Sequence, residues 1–398
     1  MADRNRAQQK STASEKQRKL RLGAAYGMGV LMFCVAGAGV VYAFGFSDLF
    51  ATEYDLADFE EHVAAIIEPE PEKPKVLDTE DYNRRIELLA NNPKMITRTA
   101  TTTVDGVATT TTIAEPEPDA SPVPPFLYPV DAPYPNVGAL LPFNRIVAYY
   151  GNFYSTKMGA LGEYPADEMI ERLMVEVAKW EAADPETPVK PAIDYIAVTA
   201  QGSAGADGMY RLRMPHDQID HALALADRVD GIVILEVQPG LSPLQVEIEM
   251  LEKYLSMPQV HLAIDPEFVM KSGDAPGTVI GTVDAVDVNR AAEYLAALVR
   301  EHNLPPKVLI VHRFTQKMVT NYQNIKPLPE VQMVMDMDGW GTPERKFGTY
   351  NWIVAPEPVQ FTGFKIFYKN DLKPPSRGLL TPDELLELRP RPIFIQYQ

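Results

Sequence analysis

Short apolar runs, rich in β-branched residues and bounded by Gly, Pro or polar residues, recur throughout residues 145–398. Runs of this length and composition are typical of strands that are buried on both faces of a sheet. Eight such runs lie at 145–150, 192–200, 231–237, 260–264, 307–311, 331–335, 361–367 and 392–396. The pattern therefore predicts eight buried strands in this part of the chain.

Most of these runs are separated by segments with the periodicity of amphipathic helices. Met169, Leu173 and Trp180, for example, fall on one face of a helix predicted over 166–182. The other helical patterns lie at 217–228, 243–255, 286–301, 316–325, 382–388 and, more weakly, 343–354. Strands that alternate with helices form a parallel sheet, because each helix returns the chain to the edge where the previous strand began.

Eight strand-and-helix units in about 250 residues match the size of a TIM-type α/β barrel. We therefore predict a (β/α)8 barrel over 144–398. An open doubly wound sheet is the alternative, because the periodicity does not reveal the order of the strands. The last helix is missing after the eighth run, and a helical pattern at 78–89 is predicted to fill its place.

Residues 23–46 show a different pattern, with 24 consecutive apolar or small residues and no charge. A helix of that length spans the roughly 30 Å hydrocarbon core of a lipid bilayer. The tail at 1–22 carries seven basic and two acidic residues, whereas 47–72 carries nine acidic residues and no Lys or Arg. The positive-inside rule then predicts a single-pass anchor in the cell membrane, with a cytoplasmic N-terminus and an extracytoplasmic C-terminal domain. A signal peptide cleaved near 41–43 is the alternative.

The segment 47–143 is acidic and rich in Pro and Thr, with nine prolines between Pro116 and Pro142. Such a composition does not build a hydrophobic core and is typical of an extended, semi-rigid spacer. We predict a stalk here, interrupted by short helices at 53–67 and 78–89. It would hold the barrel away from the membrane.

Charge and cysteine content exclude several classes of function. The chain has 54 acidic and 37 basic residues, a formal net charge of -17, and residues 145–398 carry about -10 of it. Because this charge repels phosphate, we predict no nucleic-acid partner. Cys34 is the one cysteine, which excludes disulfides within the chain and CxxC metal sites.

Polar side chains follow the predicted strands where each one ends. Seven of the eight strand ends change there from apolar residues to charged or amide side chains. In TIM-type barrels the carboxyl ends of the strands and their following loops form the working face. We therefore predict a ligand-binding mouth, whose binding residues are Tyr149, Tyr150, Gln201, Glu236, Gln238, His312, Arg313, Trp340, Lys369 and Tyr397.

Five carboxylates are predicted to face this mouth. Asp265 and Glu267 lie two residues apart after the fourth strand, Asp336 and Asp338 repeat that spacing after the sixth, and Glu236 follows the third. Their mutual repulsion raises some pKa values and leaves other carboxylates ionised. Hydrolysis of a glycosidic bond needs this combination of a protonated donor and an ionised base or nucleophile. Asp265, Glu267, Asp336 and Asp338 are the catalytic candidates.

Aromatic residues and flexible loops also gather at the predicted mouth. Tyr150, Trp340 and Tyr397 are among several aromatic residues at the strand ends, where their rings can stack on the apolar faces of sugars. The segments 201–215 and 271–282 are rich in Gly and have few apolar anchors, so we expect them to act as lids. Both features favour a carbohydrate ligand.

The barrel that ends its fourth strand in Asp265-Pro266-Glu267 resembles the (β/α)8 glycoside hydrolases, at the level of architecture. In their chitinase-like branch, strand four ends in Asp-x-Glu. The resemblance implies that Glu267 is the general acid and Asp265 its partner. Two earlier aspartates of that motif are replaced here by Val260 and Ala263. On strand seven, where other barrel glycosidases have Glu, Lys365 and Lys369 stand instead.

We therefore expect a membrane-anchored glycoside hydrolase that acts on a cell-envelope or extracellular polysaccharide without a cofactor or metal. Glu267 is the expected acid, with Asp265 or Asp336 as nucleophile or base. A non-catalytic envelope-binding or scaffold protein is the first alternative, because no complete catalytic motif is present. A metal-dependent ester or phosphoester hydrolase, with Asp265, Asp336, Asp338 and His312 as ligands, is the second. The oligomeric state is left open by the sequence.

Overall fold

The computed structural model describes residues 76–92, 95–104, 107–116 and 128–398. These residues all belong to one compact unit, Lys75–Gln398. The predicted tail over 1–22, membrane span over 23–46 and helix over 53–67 lie outside the described residues. Within the described ranges, no helix is both long enough and apolar enough to cross a bilayer.

The strands follow the predicted apolar runs closely; two ten-residue strands precede them, and three short strands lie between them. They are β1 (Met95–Val104), β2 (Val107–Pro116), β3 (Arg145–Gly151), β4 (Val189–Ala200), β5 (Arg211–Arg213), β6 (Ile232–Val237), β7 (Val260–Ile264), β8 (Val283–Asp284), β9 (Lys307–Arg313), β10 (Val319–Thr320), β11 (Val331–Met337), β12 (Phe361–Ile366) and β13 (Phe394–Tyr397).

Eight of these strands close into a parallel barrel. Around the barrel the order is β3, β4, β6, β7, β9, β11, β12 and β13. Closure comes from β3, which pairs in parallel with β4 on one side and with β13 on the other. The prediction of a TIM-type barrel rather than an open sheet is confirmed. The short strand β5 pairs antiparallel with the end of β4 and extends the wall there.

One helix, α1, precedes the barrel, and the others cover its outside between most strands. They are α1 (Thr79–Ala90), α2 (Ala160–Glu163), α3 (Ala166–Ala183), α4 (His216–Asp227), α5 (Leu244–Glu249), α6 (Glu252–Leu255), α7 (Ala285–His302), α8 (Pro343–Thr349) and α9 (Pro382–Leu386). A π-helical turn at Tyr350–Val354 continues α8, so the weak pattern at 343–354 is helical as predicted.

The helix predicted over 316–325 is wrong. This segment instead contains 3₁₀ turns at Gln316–Met318 and Tyr322–Asn324, with β10 between them. Asn321 interrupts the segment because its backbone lies in the left-handed region, at φ 55°. One residue in that conformation ends an α-helix, since its carbonyl group no longer points along the helix axis.

Part of the predicted stalk is a paired β-hairpin rather than an unpaired extended chain. In this hairpin β1 and β2 run antiparallel, in a register that joins Met95 to Pro116 and Val104 to Val107. Threonine is branched at Cβ and favours strands, and both halves of the segment are rich in it. The Pro-based prediction of a spacer overlooked this pairing.

Helix α1 closes the end of the barrel where the strands begin, instead of filling the place of the missing eighth helix. Leu89 and Ala90 at its C-terminus are buried in the same apolar cluster as Ile146 and Phe394, which point into the barrel. The backbone N–H of Arg391 donates to the carbonyl oxygen of Leu89 at 2.7 Å. Tyr128 and Leu141 join the same cluster, so residues on both sides of the hairpin help to seal this end.

Candidate functional site

The inward-facing side chains of the barrel change from apolar to polar along its axis. Near the strand starts they are apolar, as at Ile146, Ala192 and Phe394. Nearer the carboxyl ends, the inward positions carry the buried polar side chains Asp194, Glu236, His312, Asp336 and Gln396. Because side chains alternate between the two faces of a strand, each of these groups lies two or four residues beyond an apolar one on the same face. The polar groups thus form a layer beneath the mouth.

His312 lies at the centre of this layer, between two carboxylates. Its Nδ1 is 2.9 Å from Asp336 Oδ2 and its Nε2 is 3.1 Å from Glu236 Oε2. Burial alone would lower the pKa of His312, but the charge of Glu236 and the hydrogen bonds to both carboxylates hold it well above its usual value. The ring is therefore an imidazolium that donates to a carboxylate on each side.

The same interaction keeps Glu236 ionised. Burial by itself would raise the pKa of Glu236, but the positive charges of His312 and Lys365 and the hydrogen bonds it accepts hold it below its usual value. The Tyr150 hydroxyl donates to Glu236 Oε1 at 2.8 Å, and the Gln238 amide donates to the same oxygen at 2.9 Å. Both oxygens of the carboxylate are thus paired.

Lys365 brings a second positive charge to the upper side of this layer. Its Nζ lies 3.2 Å from Asp338 Oδ1 and 3.8 Å from the centre of the Tyr150 ring. Burial alone would lower the pKa of Lys365, yet Asp338 and the neighbouring carboxylates raise it above its usual value. The strand-seven lysine is therefore a charged partner of the carboxylates.

Asp265 positions the segment that carries Glu267. One of its oxygens accepts the backbone N–H of Glu267 at 3.0 Å, which caps the 3₁₀ turn Pro266–Phe268. The other accepts from the Gln238 amide at 3.4 Å. Burial raises the pKa of Asp265 well above its usual value, and Glu236 adds to that rise. The Asp-Pro-Glu sequence after β7 thus holds the Glu267 side chain in place.

A cleft of about 610 Å³ opens above this layer at the carboxyl ends of the strands. Asp265, Glu267 and Asp338 are the carboxylates that line it, beside the aromatic side chains of Phe268, Phe314, Trp340 and Phe367. Glu267 is half-buried, and burial raises its pKa, with the charge of Asp338 adding to the rise. Burial also raises the pKa of Asp338, against the opposing charges of Lys365 and His312.

Of the four predicted catalytic residues, the cleft therefore brings together Asp265, Glu267 and Asp338, but not Asp336. Asp336 is fully buried beneath the cleft, and one of its oxygens is bound to His312. It cannot reach a ligand in the cleft and instead fixes the imidazolium. Asp338, two residues after Asp336 and just past the end of β11, lies nearer the mouth. It therefore replaces Asp336 as the candidate on this strand.

Three of the predicted binding residues face away from the mouth. Tyr149, Arg313 and Tyr397 each adjoin an inward-facing residue in the sequence, so their own side chains point to the outside of the barrel wall. Tyr149 donates to or accepts from Tyr368 at 3.0 Å, and Tyr397 accepts from the indole of Trp180 at 3.0 Å. They pack between strands and helices. Arg313 is buried and pairs with Glu357.

Two further predicted binding residues lie in loops beside the cleft without lining it. The Gln201 side chain donates to the carbonyl oxygen of Thr199 at 3.4 Å, which keeps it against its own strand. Lys369 is exposed and its Nζ lies 2.7 Å from Glu163 Oε1. By contrast, Tyr150, Gln238 and Trp340 line the cleft as predicted.

Sequence reasoning missed Asp194, which lies in the middle of a strand rather than at its end. The Gln396 amide donates to Asp194 Oδ2 at 2.5 Å, and burial raises the pKa of Asp194 well above its usual value. The spacing of Asp194 from the inward-facing residues of the same strand could have identified it. Asp194 stands two residues from Ala192 and from Ile196, on the inward face of β4, where an acidic residue is unusual unless it is paired.

The predicted metal ligands do not form a coordinating cluster in the described ranges. There, no group of three or more His, Cys, Asp or Glu side chains is placed to hold a metal ion. Of the four predicted ligands, His312 has both ring nitrogens within 3.1 Å of a carboxylate oxygen. Asp265 uses its oxygens for the Glu267 backbone and Gln238.

Gly363 makes room for the buried Asp336 carboxylate, and replacing it should destabilise the fold. A Cβ atom at Gly363 on β12 would lie 2.5 Å from Asp336 Oδ1 and 2.8 Å from a ring carbon of Phe394. We expect Gly363→Ala to lower the free energy of unfolding by about 1–3 kcal/mol, because the packed layer has to shift. Urea denaturation followed by circular dichroism measures this change.

Gly348→Ala in α8 is the matched control. A Cβ atom there meets no other atom within 4 Å. Alanine also favours helices, so this variant should be as stable as the wild type or more stable by up to about 1 kcal/mol. Equal unfolding free energies for the two variants would show that Gly363 is not needed for the packing of Asp336.

Comparison with known proteins finds only distant structural similarity. No protein-family model matches the sequence, and no curated protein matches it. Among solved structures, the chain is similar to the Bacillus subtilis mannanase BCman, with 9% identity and a TM-score of 0.31 over 65% of this chain and 81% of that chain. It is also similar to GH26C from Muricauda sp., with 12% identity and a TM-score of 0.27 over 63% and 70% of the two chains.

Proposed function

We propose that the barrel hydrolyses a glycan in the cleft at its mouth. The observation that supports this proposal is that Asp265, Glu267 and Asp338 line one cleft, while Asp336 and Asp194 beneath them are hydrogen-bonded to His312 and Gln396. A raised pKa suits Glu267 to donate a proton to the leaving oxygen. Asp338 is then the nucleophile or the base that activates water.

The neighbouring groups support this division of roles. The Lys365 ammonium and the His312 imidazolium lie 3.2 Å and 3.7 Å from the two oxygens of Asp338, and both charges favour its ionised form. Glu267 has no ion-pair partner within 4.0 Å among the described residues, and its burial favours the protonated form. Two cations within 4.0 Å thus oppose the effect of burial on the pKa of Asp338, and Glu267 has no such close partner, which supports Glu267 as the acid.

Release of new reducing ends from purified polysaccharides tests the proposal. The full chain in detergent is incubated with neutral and acidic cell-envelope glycans, with and without a chelator. We expect release that persists with the chelator and is lost in Glu267→Gln. The anomer formed first, observed by proton NMR, then assigns Asp338 as nucleophile or base. A protein that binds these glycans without releasing reducing ends would instead be a binding or scaffold module.

The pKa of Glu267 should fall when the charge of Asp338 is removed. The negative charge of Asp338 raises the pKa of Glu267, so Asp338→Asn should lower that pKa, and Glu267 should deprotonate at a lower pH. Carboxyl carbon shifts in a pH titration by NMR measure this directly. Asp383→Asn, an exposed change in α9, is the control and should leave the titration unaltered. An unchanged pKa of Glu267 in Asp338→Asn would show that the charge of Asp338 does not influence Glu267.

We also propose that residues 23–46 anchor the chain in the cell membrane, with the barrel on the extracytoplasmic side. The support is the 24-residue uncharged span between a basic and an acidic flank. A glycan of the cell envelope is then within reach of the mouth. Protease added to intact cells should digest the barrel but spare the basic tail at 1–22. Protection of the barrel would overturn this orientation.

A further inference from the structure

Trp340 presents an exposed aromatic ring at the rim of the cleft, and two basic side chains lie within 6 Å of its centre. Its side chain lines the cleft, yet 47% of the residue's surface is exposed. The Arg345 guanidinium carbon lies 5.7 Å from the centre of the ring, and Lys373 Nζ lies 5.1 Å from it. Large aromatic side chains that stay exposed at a cleft are typical of binding surfaces.

These two basic side chains differ from the basic residues around them. Lys369 pairs with Glu163, and Arg377 pairs with Glu344 and Glu384. In the part of the chain that the structure describes, neither Arg345 nor Lys373 lies within 4.0 Å of a carboxylate oxygen.

Buried Asp371 connects the loop that carries Trp340, helix α8 that carries Arg345, and the loop that leads to Lys373. It accepts the backbone N–H groups of Gly341 and Phe367, each at 2.9 Å, and the Lys346 ammonium at 2.5 Å. These bonds tie the loop of Trp340 to the loop that follows β12 and leads to Lys373. The backbone around Trp340 and after β12 is therefore held by buried contacts.

Gly341 gives the Arg345 side chain its place beside the ring. Its φ of +146° is one that glycine adopts readily and other residues rarely adopt. A Cβ atom at Gly341 would also lie 2.9 Å from Arg345 Cδ. The backbone is thus shaped so that the arginine stem can fold back towards Trp340.

We propose that Trp340, Arg345 and Lys373 form a subsite for a sugar that carries a carboxylate. This inference rests on the proposed function and specifies its substrate as an acidic glycan. The ring stacks on the apolar face of the sugar, and the planar guanidinium of Arg345 donates two parallel hydrogen bonds to the carboxylate. Lys373 adds a second charge on the same group. Without these cations, Glu267 and Asp338 in the cleft would repel such a substrate.

Titration calorimetry with two matched sugars tests the subsite. The probes are tetragalacturonate and its methyl ester, which keep the same rings but differ in charge. They are titrated into the full chain carrying Glu267→Gln, so that neither is cleaved. We expect tetragalacturonate to bind about tenfold more tightly than the ester, with a preference that weakens as salt is added.

Two double variants in the same background separate the subsite from general charge. Arg345→Gln with Lys373→Gln should remove the preference for tetragalacturonate and leave binding of the ester unchanged. Lys369→Gln with Arg377→Gln removes the same charge nearby and should leave both affinities unchanged. Equal affinities for the two sugars, equal losses in both double variants, or no binding of either sugar would overturn the subsite.

Failure of the subsite is distinguishable from failure of the proposed function. If the wild-type chain releases reducing ends from neutral glycans but shows no dependence on Arg345 and Lys373, hydrolysis stands and the subsite is wrong. If tetragalacturonate binds through these residues but the wild-type chain cleaves neither the acidic nor the neutral polymers, the subsite stands and hydrolysis is wrong.

Discussion

Glu267→Gln is expected to lower kcat for glycan hydrolysis by about 10²–10⁴-fold while the substrate still binds. The amide keeps the size of the side chain but has no acidic proton to transfer to the leaving oxygen. The 3₁₀ turn that positions the side chain should persist, because Asp265 accepts the backbone N–H of residue 267 and not its side chain. Reducing-end release and calorimetry on the same preparation measure the two effects separately.

Glu163→Gln is the matched control for this change. Glu163 pairs with Lys369 outside the cleft, so replacing it should leave kcat within about twofold of the wild type. Asp338→Asn should lower kcat as strongly as Glu267→Gln, since the second carboxylate is equally required. Full turnover in Glu267→Gln would remove Glu267 as the acid. It would leave Asp265, which has a raised pKa and lines the cleft, as the remaining candidate.

His312→Leu is expected to destabilise the barrel by about 3–5 kcal/mol, the largest loss of stability that we predict. The imidazolium lies between the carboxylates of Glu236 and Asp336, and all three groups are fully buried. Removing the positive charge leaves two carboxylates without their shared donor in a low-dielectric interior, and breaking buried ion pairs in this way costs several kcal/mol. Urea denaturation at neutral pH measures the difference from the wild type.

The pH dependence of this difference gives a sharper test. The folded-state pKa of His312 is raised well above its usual value of about 6.5, so its stabilising charge is fully present below that value. The contribution is lost as the pH rises through the raised pKa. The wild type and His312→Leu should therefore differ most below neutral pH and approach each other at alkaline pH.

His302→Leu is the control for both measurements, because His302 is exposed at the end of α7. Its unfolding free energy should stay within about 0.5 kcal/mol of the wild type at every pH. If His312→Leu lost no more than this control, the stabilising role assigned to the positive charge of His312 would be wrong.

Fold prediction from this sequence worked best for the barrel strands. The run predicted at 260–264 coincides with β7, and the run at 307–311 misses only the last two residues of β9. Such strands are buried on both faces, so nearly every position must be apolar and the run marks the strand itself. Helix prediction failed at 316–325, where an apolar periodicity was present but Asn321 adopts a left-handed conformation.

Site prediction was limited by the alternation of side chains along each strand. The sequence located the polar strand ends, and Glu267 and Asp338 do line the cleft. It did not distinguish Tyr150 from Tyr149, although a one-residue shift moves a side chain from the inside of the barrel to the outside. Asp194 escaped notice because it stands within an apolar run, where its partner Gln396 comes from a strand 202 residues away.

By itself, the sequence determined the number of barrel strands and their positions along the chain, the charge of the chain and the residue types that gather where the strands end. These follow from local periodicity and composition, which depend on neighbouring residues. Only the tertiary structure decided that His312 joins Glu236 to Asp336, that Lys365 faces Asp338, and that Arg345 and Lys373 lie close to the Trp340 ring. Those pairings depend on distances of a few ångströms between residues far apart in the chain, and closure of the barrel sets those distances.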